Sequence, residues 1–394
     1  MGLGYIGLPT AAVAASKGIE VVGVDINPLV VNTINEGKIH IVEPELDKVV
    51  KEVVENGNLR ASFQPEPADA FFIVVPTPFK QNHRADISYV ESATRMVIPF
   101  LQEGNLFVIE STSPVMTTEK MAEIIFRERP ELIGEIYIAY CPERVLPGNV
   151  LFELENNDRV IGGINNESSD KAITFYSKFV KGKLHKTNSR TAEMCKLTEN
   201  SSRDAQIAFA NELSIICDKA GINVWELIEL ANKHPRVNIL QPGCGVGGHC
   251  IAVDPWFIVS DYPEQANIIK RARETNDYKA DWCANRVIEE CHNFSTKFGR
   301  EPIVACMGLA FKPDIDDLRE SPAKYITSRI ISEARAEVLV VEPNVLVHKT
   351  YNLMNYNEAY EKADVIVWLV RHKEFLQISK SELKIEFDFC GVRK

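Results

Sequence analysis

Met1-Gly-Leu-Gly-Tyr-Ile-Gly7, followed by small residues from Thr10 to Ser16 and then by Glu20-Val-Val-Gly-Val-Asp25, organises the first part of the chain. Gly2, Gly4 and Gly7 have the G-x-G-x-x-G spacing that supplies a tight turn, a bare backbone against a pyrophosphate and a close helix contact. An acidic residue closing the next strand accepts hydrogen bonds from the adenosine ribose. Asp25 therefore completes a dinucleotide fingerprint, and its charge favours NAD over NADP. Such a fingerprint ordinarily follows a strand. Residue 1 already lies in the turn, so we expect the central first strand to be missing, which would expose two ladders of backbone groups.

Short apolar runs continue the pattern at Ala70-Phe-Phe-Ile-Val-Val75, Asn105-Leu-Phe-Val-Ile-Glu110 and Ile136-Tyr-Ile-Ala-Tyr140. Each reads as a buried strand closed by a polar turn. Ligands of doubly wound sheets lie outside the carboxyl ends of such strands. That singles out Pro76-Thr77-Pro78, Ser111-Thr112-Ser113-Pro114 and Cys141-Pro142-Glu143-Arg144. Proline, serine and threonine make turns in any protein; three such turns at equivalent strand ends point to a site.

From Thr191 to Ala220 neither Pro nor Gly occurs, and Gly221 stands where a C-terminal cap belongs. The spacing predicts one helix roughly 45 Å long, a spine between domains with room for a partner subunit. Lys196, Asn200 and Arg203 share one face of it. Beyond lies Gln241-Pro-Gly-Cys-Gly-Val-Gly-Gly-His-Cys-Ile-Ala-Val-Asp254, with four glycines in six positions. We read it as a bare-backbone loop open to a ligand, ending on a reactive Cys250 at a helix start that favours the thiolate, with Asp254 one turn on. His249 and Cys250 are adjacent and point apart, so no metal site is expected. Arg236 has the fork geometry that suits a phosphate. A second helical stretch runs from Ile268 to Cys291. A second parallel sheet without the fingerprint follows, in Ile303–Met307, Val338–Val341 and Ala363–Leu369, its first loop carrying Lys312 and Arg319.

Size and charge bound the rest. The 394 residues exceed one ordinary core, and the net charge of −11 disfavours nucleic acid and anionic membranes as partners. No apolar run is long enough to span a bilayer and no signal peptide opens the chain. Nine scattered cysteines suit a reducing cytoplasm. The expected fold is α/β, two Rossmann-like doubly wound parallel-sheet domains joined by a central long-helix domain. The expected limits are 1–187, 188–294 and 295–394.

Longer motifs add a resemblance. Gly2-x-Gly4-Tyr-Ile-Gly-Leu-Pro9, Glu110-Ser-Thr-Ser-Pro114, Cys141-Pro-Glu-Arg-Val-Leu-Pro-Gly148, Lys196-Leu-Thr-Glu-Asn200, Gly245-Val-Gly-Gly-His-Cys250, Ala310-Phe-Lys312 and Asp317-Leu-Arg-Glu-Ser-Pro322 resemble the UDP-glucose/GDP-mannose dehydrogenase family over essentially the whole chain. Thr191–Asn200 and His234–Gly243 look most like its UDP-N-acetyl-D-mannosamine branch, as does Pro147 where glucose-type members carry glutamate.

The resemblance implies NAD-dependent four-electron oxidation of the sugar's C6 alcohol to the uronate, for surface polysaccharide synthesis. Cys250 is implied as nucleophile and Lys196 as the group that handles protons and oxyanions. Asn200 and Asp254 position alcohol or water, and Glu143 assists thioester hydrolysis. Cofactor contacts fall to Gly2, Gly4, Tyr5, Ile6, Gly7, Asp25, Thr77, Thr112 and Arg319. Substrate contacts fall to Arg144, Val145, Lys196, Asn200, Arg203, His234, Arg236, Gly247 and Lys312, with His234 and Arg236 reaching a neighbouring subunit of a homodimer. Cys244 replaces a usual proline, which should loosen the loop and place a second thiol by the nucleophile; Cys390 replaces a usual basic residue. The competing readings are a UDP-glucose or UDP-N-acetylglucosamine 6-dehydrogenase, and a non-catalytic nucleotide-sugar binder.

Overall fold

The computed structural model describes every residue except Phe79, Gln81, Asn82, Leu146, Pro147 and His249. The clue at Pro147 and the metal reading of His249 lie outside the described residues. The chain forms two compact units, Met1–Thr198 and Glu199–Lys394.

The first unit runs α1 (Gly7–Ser16), β1 (Val21–Val24), α2 (Pro28–Asn35), α3 (Leu46–Glu55), β2 (Leu59–Ser62), β3 (Ala70–Ile73), α4 (Ser88–Val97), β4 (Leu106–Ile109), α5 (Thr117–Glu128), β5 (Tyr137–Tyr140), α6 (Val150–Asn156), β6 (Arg159–Gly163), α7 (Asn166–Tyr176) and β7 (Leu184–Asn188). β1 and β2 pair in parallel, and a second sheet has the order β3-β4-β5-β6-β7. Its pairings are parallel except β5 with β6. β4 is buried at all four positions, as an inner strand covered by helices must be. Met1 and Gly2 bridge the two sheets: the Met1 amino group donates to Phe72 O (2.8 Å), Val74 N to Met1 O (2.8 Å) and Gly2 N to Val24 O (2.7 Å). They thus occupy the carboxyl end of the first-strand position.

Helix α8 (Ser189–Ala220) leaves the first unit and enters the second, 32 residues without a break, as its composition predicts. The second unit continues with α9 (Val224–Ala231), α10 (Asp254–Asp261), α11 (Asn267–Phe298), β8 (Ile303–Met307), α12 (Pro322–Glu333), β9 (Glu337–Val341), α13 (Tyr356–Lys362), β10 (Val365–Trp368) and β11 (Ile385–Asp388). Its sheet is fully parallel, in the order β11-β10-β8-β9. Helix α11 outruns the expected end at Cys291 by two turns, so the expected domain limit at 294/295 falls within a helix. Phe294 explains this: it is buried on the same face as Val287 and Cys291.

Candidate active site

The three turns singled out above sit side by side at the carboxyl ends of the parallel strands β3, β4 and β5. Their polar side chains tie the turns together. Thr77 Oγ1 donates to Thr112 O at 2.6 Å, and Val75 N donates to Ser111 Oγ at 2.9 Å.

The fingerprint turn fits a dinucleotide. A Cβ on Gly7 would lie 1.9 Å from Gly2 O, so only glycine lets α1 approach this closely. A Cβ on Gly4, by contrast, would meet nothing within 4 Å, which leaves bare backbone facing open space. No side chain caps α1 and no acidic residue occupies its first turn; Leu8 N donates to Gly4 O (3.1 Å), Thr10 N to Ile6 O (3.0 Å) and Pro9 has no N–H, so an anion here meets the positive end of the helix dipole and the bare backbone atoms of Gly4. Tyr5 is 53 % exposed beside them, and Ile6 is the N-cap. Asp25 accepts Leu3 N on Oδ2 and Asn27 N on Oδ1, each at 2.9 Å. One acceptor position remains on each oxygen for ribose hydroxyls.

The second sheet repeats this device under different chemistry. Gly308 N donates to Val341 O (2.9 Å), Leu309 N to Glu342 Oε2 (2.7 Å) and Asn344 N to Glu342 Oε1 (3.0 Å). Glu342 is, however, 3 % exposed and also meets His372 Nε2 at 3.2 Å, so it is closed to a ribose. The pair anchors the loop that carries Lys312 and Arg319, both exposed. Arg319 is held by Asp317 through Nε and Nη2. Asp314, His372 and Glu374 group ligand-type atoms nearby. His372 Nδ1 already accepts from Asp314 N and Asn344 Nδ2, both at 3.0 Å, and so is not open to a metal.

The glycine loop differs from its expected form. A Cβ on Gly247 would meet Glu320 O at 2.5 Å, one on Gly248 the Phe311 ring at 3.0 Å and one on Gly245 Asn276 O at 2.8 Å. On the side where a Cβ would stand, these three glycines make room for the protein's own 311–322 loop and α11. Only Gly243 is open, and its N–H donates to Asn211 Oδ1. Cys250 is exposed, as a nucleophile requires. It precedes the helix rather than starting it: α10 begins at Asp254, whose N–H donates back to Cys250 O at 2.8 Å. Pro255 at the second helical position suits that later start.

Asp254 is 3 % exposed, and Asn200 Nδ2 donates to its Oδ2 at 2.5 Å. Two residues chosen from separate motifs thus meet. Lys196 is half-buried one turn before Asn200 on α8, and Arg203 is exposed. His234 and Arg236 are exposed, with Arg236 N donating to His234 Nδ1 at 3.3 Å. Arg144 and Val145 are half-buried after β5. Cys244 does not loosen the loop. It is buried in the core with Cys283, and its thiol donates to Leu369 O at 3.3 Å. Cys390 is half-buried, its N–H donating to Asp388 Oδ1, and burial pushes its thiol up.

Residues outside the expected set hold these parts in place. Glu193 is fully buried on α8 and accepts Met116 N, Thr118 N and Thr118 Oγ1, binding the start of α5 to the segment that carries Lys196. Glu43 accepts Gly148 N and Val150 N below the Arg144 turn. In the second unit Asn276 Nδ2 donates to Asp204 Oδ1, and Arg273 Nη1 joins the same oxygen at 2.7 Å. Glu193 lies within the Thr191–Asn200 motif, three residues before Lys196, the one local signal available for any of them.

A dinucleotide fingerprint turn in the first unit and, in the second, an exposed cysteine beside a buried, oriented carboxylate are the parts that an oxidoreductase of the nicotinamide-dependent class uses. The family models agree part by part. The NAD binding domain of the UDP-glucose/GDP-mannose dehydrogenase family matches residues 1–180, its central domain 190–278 and its UDP binding domain 305–390. A UDP-N-acetyl-D-mannosamine dehydrogenase of Escherichia coli (strain K12) is 57 % identical, over 100 % of this chain and 98 % of its own length. An NDP-N-acetyl-D-galactosaminuronic acid dehydrogenase of Ralstonia nicotianae is 53 % identical, over 98 % of this chain and 92 % of its own. A solved UDP-D-ManNAc dehydrogenase from Pyrococcus horikoshii superposes with a TM-score of 0.90 at 39 % identity, over 100 % of this chain and 95 % of its own. The chain belongs to the UDP-glucose/GDP-mannose dehydrogenase family and is an NAD-dependent UDP-sugar dehydrogenase.

Proposed function

We propose that this enzyme oxidises the C6 alcohol of UDP-N-acetyl-D-mannosamine to the uronate in two steps. The observation that carries the reading is Cys250, exposed and one turn before an Asp254 that Asn200 orients at 2.5 Å. The full-length similarity to relatives named for this sugar supports the substrate.

NAD, when bound at Gly2, Gly4, Tyr5, Ile6, Gly7, Asp25, Thr77, Thr112 and Arg319, takes up the hydride lost by C6 in each oxidation. Lys196 stabilises the alkoxide as the hydroxyl gives up its proton. The Cys250 thiolate then adds to the aldehyde carbon, forming a thiohemiacetal. Loss of a second hydride from that carbon leaves a thioester. Water, oriented by Asn200 and Asp254 and deprotonated with help from Glu143, adds to the thioester carbon; the C–S bond breaks and the thiolate returns. One alcohol and one water become one carboxylate, with two hydrides and three protons released.

Lys312, Arg144, Val145, Arg203 and Gly247 contact the sugar nucleotide. His234 and Arg236 serve the partner's site in a homodimer, a reading their exposure supports. The domain limits 1–187, 188–294 and 295–394 are part of the same proposal, as are a cytoplasmic setting and a product used for surface polysaccharide. No helix among the described residues is long and apolar enough to cross a membrane.

A panel of UDP-sugars tests this by counting NADH per sugar. Two for the N-acetylmannosamine epimer supports the proposal. Preference for glucose, N-acetylglucosamine or N-acetylgalactosamine moves the substrate, one NADH removes the thioester step, and none makes the chain a binder.

A further inference from the structure

Behind the turn that carries Glu143 lies a buried ionic cluster drawn from four elements of the first unit. Glu110 follows β4, Cys141 and Glu143 follow β5, Arg159 opens β6 and Tyr176 closes α7. Glu110 is 2 % exposed, Arg159 3 %, Glu143 9 % and Tyr176 0 %. Arg159 Nη2 donates to Glu143 Oε2 at 3.0 Å, whereas its Nη1 stands 3.9 Å from Glu110 Oε1. The Tyr176 hydroxyl donates to that same Oε1 at 2.5 Å, and its ring centroid lies 5.2 Å from the guanidinium carbon. Glu110 Oε2 is buried without a hydrogen-bond partner.

One cation does not balance two buried carboxylates, and geometry decides which of them it serves. The bond to Glu143 is short and charge-assisted, and Arg144 N fixes the other oxygen, Oε1, at 2.6 Å. Glu110 has the longer contact and an oxygen with no donor. Burial pushes it up to about 7, although Arg159 and the Met1 amino group oppose the shift. Cys141, 3.9 Å from Arg159 Nη1, is pushed up by burial to about 12 and stays a thiol. Glu110 therefore holds a proton up to neutrality, and Arg159 is left to Glu143.

We propose that Arg159 is a positioning residue for thioester hydrolysis: its bond to Oε2 fixes the Glu143 carboxylate so that Oε1, held by Arg144 N with a second lone pair to spare, can accept a proton from the attacking water. The water oxygen bonds to the thioester carbon, the proton passes to Glu143, the Cys250 thiolate leaves, and Glu143 returns the proton to solvent. This rests on the role of Glu143 given above.

The test separates the two half-reactions by stopped flow and acid-quench mass spectrometry with UDP-N-acetylmannosamine and NAD. Arg159→Gln should keep the first-hydride burst within about threefold of the parent enzyme and slow steady-state turnover on the order of 10²-fold, the scale of general-base catalysis. Enzyme carrying the acylated Cys250 should accumulate. Arg159→Lys, which keeps a cation in the cluster, should recover part of the rate, and it carries the same test where the glutamine variant does not fold. Burst and turnover falling together in both variants would overturn the proposal. Glu143→Gln separates the layers. If that variant hydrolyses at the parental rate, the role of Glu143 itself has failed. If it stalls while the Arg159 variants do not, only the positioning link has failed.

Discussion

Asn211 Oδ1 accepts the N–H of Gly243 at 2.8 Å, joining α8 to the first glycine of the loop that leads to Cys250. Its Nδ2 donates to Asn276 Oδ1 at 2.8 Å, so both ends of one fully buried amide are committed. Asn211→Ala strands two buried polar groups and should cost about 1–3 kcal/mol, read as a lower urea midpoint. Turnover should fall with it, because the loop loses its anchor.

Gly247→Ala should be more damaging to activity than to secondary structure. The new Cβ would meet Glu320 O at 2.5 Å and Phe311 Cβ at 2.8 Å, and the backbone carbonyl cannot rotate away as a flexible side chain would. The 311–322 loop has to shift. We expect a lower affinity for the sugar nucleotide, measured by isothermal titration, with an unchanged far-ultraviolet dichroism spectrum.

Arg273 is 2 % exposed and pairs with the buried Asp204 at 2.7 Å. Arg273→Met leaves that carboxylate without its cation and should cost about 3–5 kcal/mol in denaturant unfolding. Adding Asp204→Asn should recover a large part of the loss, since the expense lies in the stranded charge.

Glu193 is pushed up by burial from the ordinary 4.5 to about 7, against the three hydrogen bonds that favour its charged form. Between those values the folded protein holds a proton that the unfolded chain has released, so stability falls as pH rises. The contribution is at most on the order of 3 kcal/mol. Glu193→Gln should flatten the decline in urea midpoint between pH 5 and pH 8; an unchanged slope would show that this carboxyl does not titrate there.

Cys250 is exposed, whereas Cys141 and Cys306 are buried with thiols pushed up to about 12. Iodoacetamide should therefore label Cys250 first, and peptide mapping should show UDP-sugar protecting it. Cys250→Ser should abolish acid formation; full turnover to the uronate in that variant would sink the thioester route.

What was legible in the sequence depended on spacing within one segment. Gly2, Gly4 and Gly7 with Asp25, the unbroken α8, and Cys250 with Asp254 each follow from a turn, a period or a short loop whose geometry is local. The glycine loop was half legible. Four glycines announce a bare backbone, but whether a ligand or the protein fills the space depends on where Phe311 and Glu320 arrive.

The amino-acid sequence by itself determined the cofactor turn, the order of strands and helices and the cysteine proposed as nucleophile, because glycine freedom, hydrophobic period and residue chemistry act over a few positions. Tertiary structure alone decided which buried groups hold these parts. Arg159 meets Glu143 across 16 residues, Gly243 meets Asn211 across 32 and Met116 meets Glu193 across 77. A buried polar group must find a partner wherever the fold brings one, and no spacing along the chain names it in advance.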